Sequence, residues 1–174
     1  MTASTSTATD KTERTAHQPW RFDPARSSVG FRASTLFGLI PVKGKFTRYE
    51  GTLDLERDPA IELTIEAASV DTKLAFRDKH LRSADFFDVE QHPQVRFVSD
   101  AVELEGERMK VCGRMYAGAK SIPLKLDASL RRVGHELEVD ASTTVEHRRL
   151  GMSHGLLGMI PPTSELAVHG RLVR

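Results

Sequence analysis

The sequence predicts an all-β fold, an antiparallel sandwich or up-and-down barrel, on three observations. Apolar residues recur at every second position in one run after another, the period of a strand with one buried face. Turn signals separate the runs at short intervals, among them Tyr49-Glu50-Gly51, Arg57-Asp58-Pro59, Glu105-Gly106-Glu107, Ala117-Gly118-Ala119 and Val133-Gly134. Long helical patterns between strands are absent, which argues against a parallel α/β sheet. A chain of 174 residues, 39% hydrophobic and 28% charged, fits one globular domain with a sizeable core.

The elements follow in chain order. Residues 1–18 are polar without apolar periodicity and are expected to form a flexible tail, with the folded unit, 19–174, starting beside Trp20. Val29, Phe31 and Ala33 alternate with Gly30 and Arg32, and Leu53 and Leu55 flank Asp54. Ile61, Leu63 and Ile65 alternate with Glu62, Thr64 and Glu66. Asp71 to Phe87 then breaks the pattern: it is charged, with Leu74, Leu81, Phe86 and Phe87 scattered through it. It is expected to be an ordered connection with one or two short helices that closes one end of the β structure, Ser83 serving as an N-cap.

The period of two resumes with Val95 and Phe97 and is clearest in Met109, Val111, Gly113 and Met115, which alternate with Lys110, Cys112, Arg114 and Tyr116. Ile122, Leu124, Leu126 and Ala128 continue it, as do Leu137, Val139 and Ala141, and finally Leu166 and Val168. Pro123 has no N–H to give to a ladder and predicts an edge, a bulge or a strand start. Leu150 to Pro162 is apolar and poor in charge. It reads either as a loop packed on the core or as a flap over a greasy opening, where Met and Gly suit contact with a flexible ligand.

Several functions are disfavoured. Lys plus Arg is 25 against 24 for Asp plus Glu, without the basic excess of a nucleic-acid protein. The single cysteine, Cys112, forms no internal disulfide and falls on the polar phase of its strand, a bystander. No stretch approaches the roughly 18 apolar residues of a membrane span, so stable membrane insertion is not expected. The N-terminus lacks the basic start and apolar stretch of a secretory signal, and the protein is expected to be cytoplasmic. Among His17, His80, His92, His135, His147, His154 and His169, no pair has a short metal-ligand spacing. No nucleophile elbow, phosphate loop or dinucleotide motif appears, so no catalytic residue, metal or cofactor is expected.

What remains is the interior. An eight-stranded barrel either fills with side chains or holds one small ligand. The inward set of Val, Ile, Leu, Phe, Met and Ala suits an apolar guest, and Gly113, Ala128 and Ala141 leave room on that face. A self-filled core would use the same letters.

Specific motifs then narrow the reading. Ser69-Val70-Asp71-Thr72, the run from Arg77 through His80, Leu81, Arg82 and Ser83 to Asp88, His92-Pro93 and Phe97-Val98-Ser99 closely resemble the YceI-like family of lipocalin-like bacterial polyisoprenoid-binding proteins. Trp20 to Pro24 with Ser27 to Phe31 looks like that family's opening strand, and Val42 to Phe46 with Tyr49-Glu50-Gly51 like its second hairpin. The resemblance covers about Trp20 to Arg174. It implies an eight-stranded antiparallel lipocalin-like barrel with a short helical insert, a tunnel for a quinone or polyprenyl lipid, homodimers, and no enzymatic activity. Two departures stand out. Many members carry a His just before the Gly of the run that here reads Ser34-Thr35-Leu36-Phe37-Gly38, and many are exported. Leu156 to Pro162 does not match the family pattern.

The expected lining of the ligand site is Phe31, Phe37, Phe46, Leu63, Phe76, Leu81, Phe86, Phe97, Met115, Leu124 and Met159. An isoprene unit, about five CH₂-sized groups, contributes about 3–4 kcal/mol on burial. A few units overcome an association cost of roughly 4–15 kcal/mol. The cluster Arg77-Asp78-Lys79-His80 reads as a network pinning the insert, with Asp71, Asp78 and Asp85 pairing the basic side chains, or as a head-group contact. Two competing readings are an enzyme using His147 or His154 as base, which requires a His in the cavity beside a carboxylate, and a filled-core structural domain.

Overall fold

The computed structural model describes residues 18–35, 40–56, 58–152 and 163–174, the side chains of 34, 35 and 40 excepted. Phe37, Met159, His17, His154 and most of the expected tail and flap lie outside these residues.

Among the described residues, eleven strands form one sheet. They are β1 (Trp20–Phe22), β2 (Ser28–Thr35), β3 (Ile40–Phe46), β4 (Tyr49–Asp54), β5 (Ala60–Glu66), β6 (Val70–Asp71), β7 (Gln94–Glu105), β8 (Arg108–Ala117), β9 (Lys120–Val133), β10 (Glu136–Glu146) and β11 (Thr163–Val173). Among the described residues one α-helix, α1 (Ala75–Arg82), interrupts them. β1 and β2 both pair with β11, through Arg21↔Val173 and Val29↔Val168, and act as one strand broken between Phe22 and Ser28. β3 and β4 pair with β2 and β1 and form a second such strand, broken at Thr47 and Arg48. Counted so, the ring runs β1/β2, β3/β4, β5, β7, β8, β9, β10, β11 and back to β1. The fold is the expected closed, eight-stranded antiparallel barrel, with β6 a short addition beside β3.

The period of two becomes an inside and an outside. In β8, Met109, Val111, Gly113, Met115 and Ala117 are buried, whereas Arg108, Lys110, Cys112, Arg114 and Tyr116 are exposed. Pro123 pairs with Arg114 on β8, and β9 keeps company with β10 only as far as Asp127. The proline therefore occupies a local edge, as its missing N–H requires.

One end of the barrel is packed shut. Trp20, Leu53, Leu130, Leu137 and Leu172 are buried there, and the cross-strand pairs Trp20↔Leu53 and Leu137↔Leu172 bring them together. The guanidinium groups of Arg174 and Arg132 lie 4.6 and 5.8 Å from the Trp20 ring centroid. Arg26, between β1 and β2, clamps the Glu136 carboxylate at 2.9 and 2.7 Å and reaches Asp23 at 2.7 Å. It holds both carboxyls below their usual range. What this clamp contributes is present at neutral pH and is lost as the pH falls through the lowered values.

The other end carries the insert, and its charged residues serve it differently from expectation. Buried Asp78 accepts hydrogen bonds from the Thr72 amide at 2.9 Å and the Thr72 hydroxyl at 2.5 Å. Arg82 donates to the carbonyls of Ala68 and Val70 at 2.8 and 2.7 Å, and Arg77 donates to the Thr72 hydroxyl and carbonyl, both at 2.8 Å. Backbone carbonyls, more than carboxylates, engage the arginines; among the described residues, Lys73 pairs with Asp71 at 2.7 Å. Ser83 is also a correction: it ends α1 as its C-cap, its hydroxyl bonded to the His80 carbonyl at 2.7 Å. Beyond it, the Phe87 ring packs edge-on against Phe46, with centroids 5.9 Å apart.

Leu172 is fully buried in the packed end. Replacement by Ala removes its contacts and leaves a void, so urea unfolding of Leu172→Ala is expected to show a loss of about 2–5 kcal/mol.

Candidate functional site

Between the packed end and the insert lies a cavity of about 430 Å³. Its wall is the inward phase of the strands: Phe31, Leu63, Phe97, Met115, Leu124 and Val139 belong to it, with Ala33, Ala117, Ala128 and Ala141 among the small members. The packed-end residues Trp20, Leu53, Leu130, Leu137 and Leu172 take no part in it.

The space is kept open by where the aromatic rings lie. A Cβ added to Gly44 would stand 2.3 Å from Cζ of Phe31, and one added to Gly113 would stand 2.6 Å from Cζ of Phe97. Added to Gly51 or Gly170, it would meet the Phe22 ring at 2.6 Å. These glycines are seats. Each lets a phenyl ring lie against the backbone of a neighbouring strand, where any side chain would push it toward the barrel axis.

The polar members of the wall are few: Arg77, His80, Ser142, Thr143, His147 and Ser164. Arg77, His80 and Leu81 come from α1, and His147 from the 3₁₀ turn His147–Leu150 after β10. His147 is buried, and Phe86 stands edge-on to it with ring centroids 5.6 Å apart. Asp78 and Thr72 fix α1, so the polar face of the helix is held at this end of the cavity.

Of the expected lining, Phe31, Phe46, Leu63, Leu81, Phe86, Phe97, Met115 and Leu124 are on the wall. Phe76 is not: it is 83% exposed, because α1 turns Arg77, His80 and Leu81 inward and leaves Phe76 on the outer side. Phe22, Met109, Val111, Phe87, Leu150 and Met152 are outside the expected lining, yet they line the cavity. Met109 and Val111 share the phase of Met115, and Phe87 adjoins Phe86, so those signals were present. Leu150 and Met152 open the apolar segment that had been read as a core loop or a flap.

His80 and His147 reach the cavity; no Asp or Glu belongs to its wall among the described residues, and Glu146 is exposed. Cys112 is exposed on the outer face. Among the described residues, no cluster of His, Cys, Asp or Glu could hold a metal ion, and no helix is long and apolar enough to cross a membrane.

The family model of the YceI-like domain matches residues 20–172. The chain belongs to the YceI-like family. A UPF0312 protein of Photorhabdus laumondii is 38% identical over 112 residues, 62% of this chain and 58% of that protein. Protein YceI of Escherichia coli O157:H7 is 38% identical over 106 residues, 59% of this chain and 55% of that one. The matched part thus spans little more than half the length of these relatives. Among solved structures, BcnA of Burkholderia cenocepacia superimposes with a TM-score of 0.80 at 18% identity, over 88% of this chain and 99% of that one. A protein of Saccharophagus degradans described as a polyisoprenoid binding domain gives 0.76 at 13% identity, over 90% and 98%. At these identities the likeness is one of fold.

The glycine seats can be tested. Gly44→Val sets a Cβ 2.3 Å from Cζ of Phe31 and 2.9 Å from the Thr72 methyl, so the Phe31 ring must leave the wall. Uptake of a fluorescent apolar probe is expected to fall about tenfold while the far-ultraviolet circular dichroism is unchanged. Undiminished uptake would show that the seat does not govern the space.

Proposed function

We propose that the barrel binds one molecule with a long apolar chain, an isoprenoid lipid or quinone, inside the cavity and without covalent chemistry. The observation that carries this is the cavity itself: about 430 Å³, walled by aliphatic and aromatic side chains, with polar groups gathered from α1 and the β10 end. An apolar cavity of about 150 Å³ takes a benzene molecule, so the space suits roughly 18 carbons, or about three to four isoprene units. The whole falls within the usual range of ligand pockets, about 300–1,000 Å³.

The chemistry of the wall fits such a ligand. Contacts along an aliphatic chain are strong and poorly selective, so selectivity falls to the polar end. A guanidinium has five N–H donors. Arg77 directs Nε and Nη2 at Thr72 and borders the cavity, where its charge and that side's histidines suit the oxygen of a quinone or of a polyprenyl head. A wall without described carboxylates is compatible with either head. The description of the Saccharophagus degradans domain as polyisoprenoid-binding supports the same reading. The corresponding role is that of a carrier, store or scavenger.

Native mass spectrometry of protein purified from its host, followed by organic extraction, checks this. The expected result is an adduct of one lipid per chain that extracts into solvent and carries an isoprenoid fragmentation pattern. Protein that is empty on isolation and takes up no added isoprenoid would overturn the proposal.

A further inference from the structure

Phe76 is the most exposed of the large hydrophobic side chains described, at 83%, and Leu74 beside it is 51% exposed. With exposed Ala75 between them, they form one apolar tip at the start of α1. Basic groups lie on the insert and on the turn packed against it. Lys79 is exposed on the same segment, as is Lys73, whose charge is paired with Asp71. Arg148 and Arg149 are exposed on the 3₁₀ turn that Phe86 and His147 bring against the insert. The acidic groups of the segment are mostly engaged locally, Asp71 with Lys73 and Asp78 with Thr72, leaving Asp85 exposed.

The tip also has a place relative to the cavity. Residues four apart are neighbours on a helix surface. Phe76 therefore adjoins His80, which lines the cavity, so the tip stands one helical turn from the cavity wall. Side chains of Phe and Leu set among Lys and Arg are the makings of a peripheral contact with anionic lipid: the apolar groups enter the boundary and the cations meet the head groups.

We propose that the Leu74–Phe76 tip docks the barrel on an anionic lipid bilayer, with the insert against the surface, so that an apolar chain passes between bilayer and cavity without crossing water. This rests on the reading of the cavity as an apolar-ligand site. A second copy of the chain is the poorer occupant. An isologous dimer through this patch would set Lys73, Lys79 and their basic neighbours against the same groups of the copy. Two apolar side chains and a few cations give a reversible contact, which a protein that must leave with its cargo requires.

The test is sedimentation of the full chain with vesicles of phosphatidylcholine alone and of phosphatidylcholine with phosphatidylglycerol. The wild type and the double variant Leu74→Ser, Phe76→Ser are compared, with isoprenoid uptake from solution measured on both. The wild type is expected to partition onto the anionic vesicles at least about tenfold more strongly than the variant, less so at high salt, with equal uptake by the two proteins. Equal partitioning of the two proteins would overturn the proposal. So would a dimer, seen by sedimentation velocity, that the double variant dissolves while neither protein binds vesicles. Failed uptake by both, with partitioning still lost in the variant, would sink the cavity reading and leave the docking surface standing.

Discussion

Everything distinctive about this barrel follows from the close approach of phenyl rings to glycine Cα atoms. Protein interiors fill to the density of organic crystals, and an eight-stranded barrel is narrow enough for its own side chains to do so. Phe22, Phe31 and Phe97 have the bulk to cross it. Each instead lies over a glycine of an adjacent strand, Phe31 on Gly44, Phe97 on Gly113, and Phe22 on both Gly51 and Gly170. The rings lie against backbone and leave the interior to small residues such as Ala128 and Ala141 and to the ends of aliphatic side chains.

That arrangement divides labour along the barrel. Stability is concentrated where side chains meet, around Trp20, Leu53, Leu137 and Leu172, and none of these borders the cavity. The cavity gives up such contacts, a deficit that an apolar guest would repair. The insert adds a polar end. Its hydrogen bonds, Asp78 to Thr72 and Arg82 to two carbonyls, hold α1 so that Arg77 and His80 border the cavity and Phe76 stands outside. One short helix thus offers two surfaces of different chemistry, one toward the interior and one toward whatever the barrel meets.

The strands were legible because a half-buried strand writes its two faces into alternate residues, as in Met109 to Tyr116. Pro123 was legible through its missing N–H. The insert was visible as a break in alternation, but its geometry was not: eight residues of α1 place Phe76 outside and Leu81 inside, and a short helix gives too few turns for a periodic signal to show this. The roles of Asp78 and Arg82 were hidden because their partners are backbone atoms, which composition does not reveal. The glycine seats were hidden for a related reason. Gly44 and Phe31 are paired by register between β2 and β3, and register is a property of the fold. Nothing in the letters distinguishes a phenylalanine that lies on the wall from one that fills the middle.

The most direct measurement is a crystal structure of the protein taken from its host with its lipids retained. Continuous elongated density is predicted along the barrel axis between Phe31, Phe97, Met115 and Leu124, ending beside Arg77 and His80. Side chains interlocked across the axis, with the phenyl rings turned off their glycines and no density between them, would contradict the account.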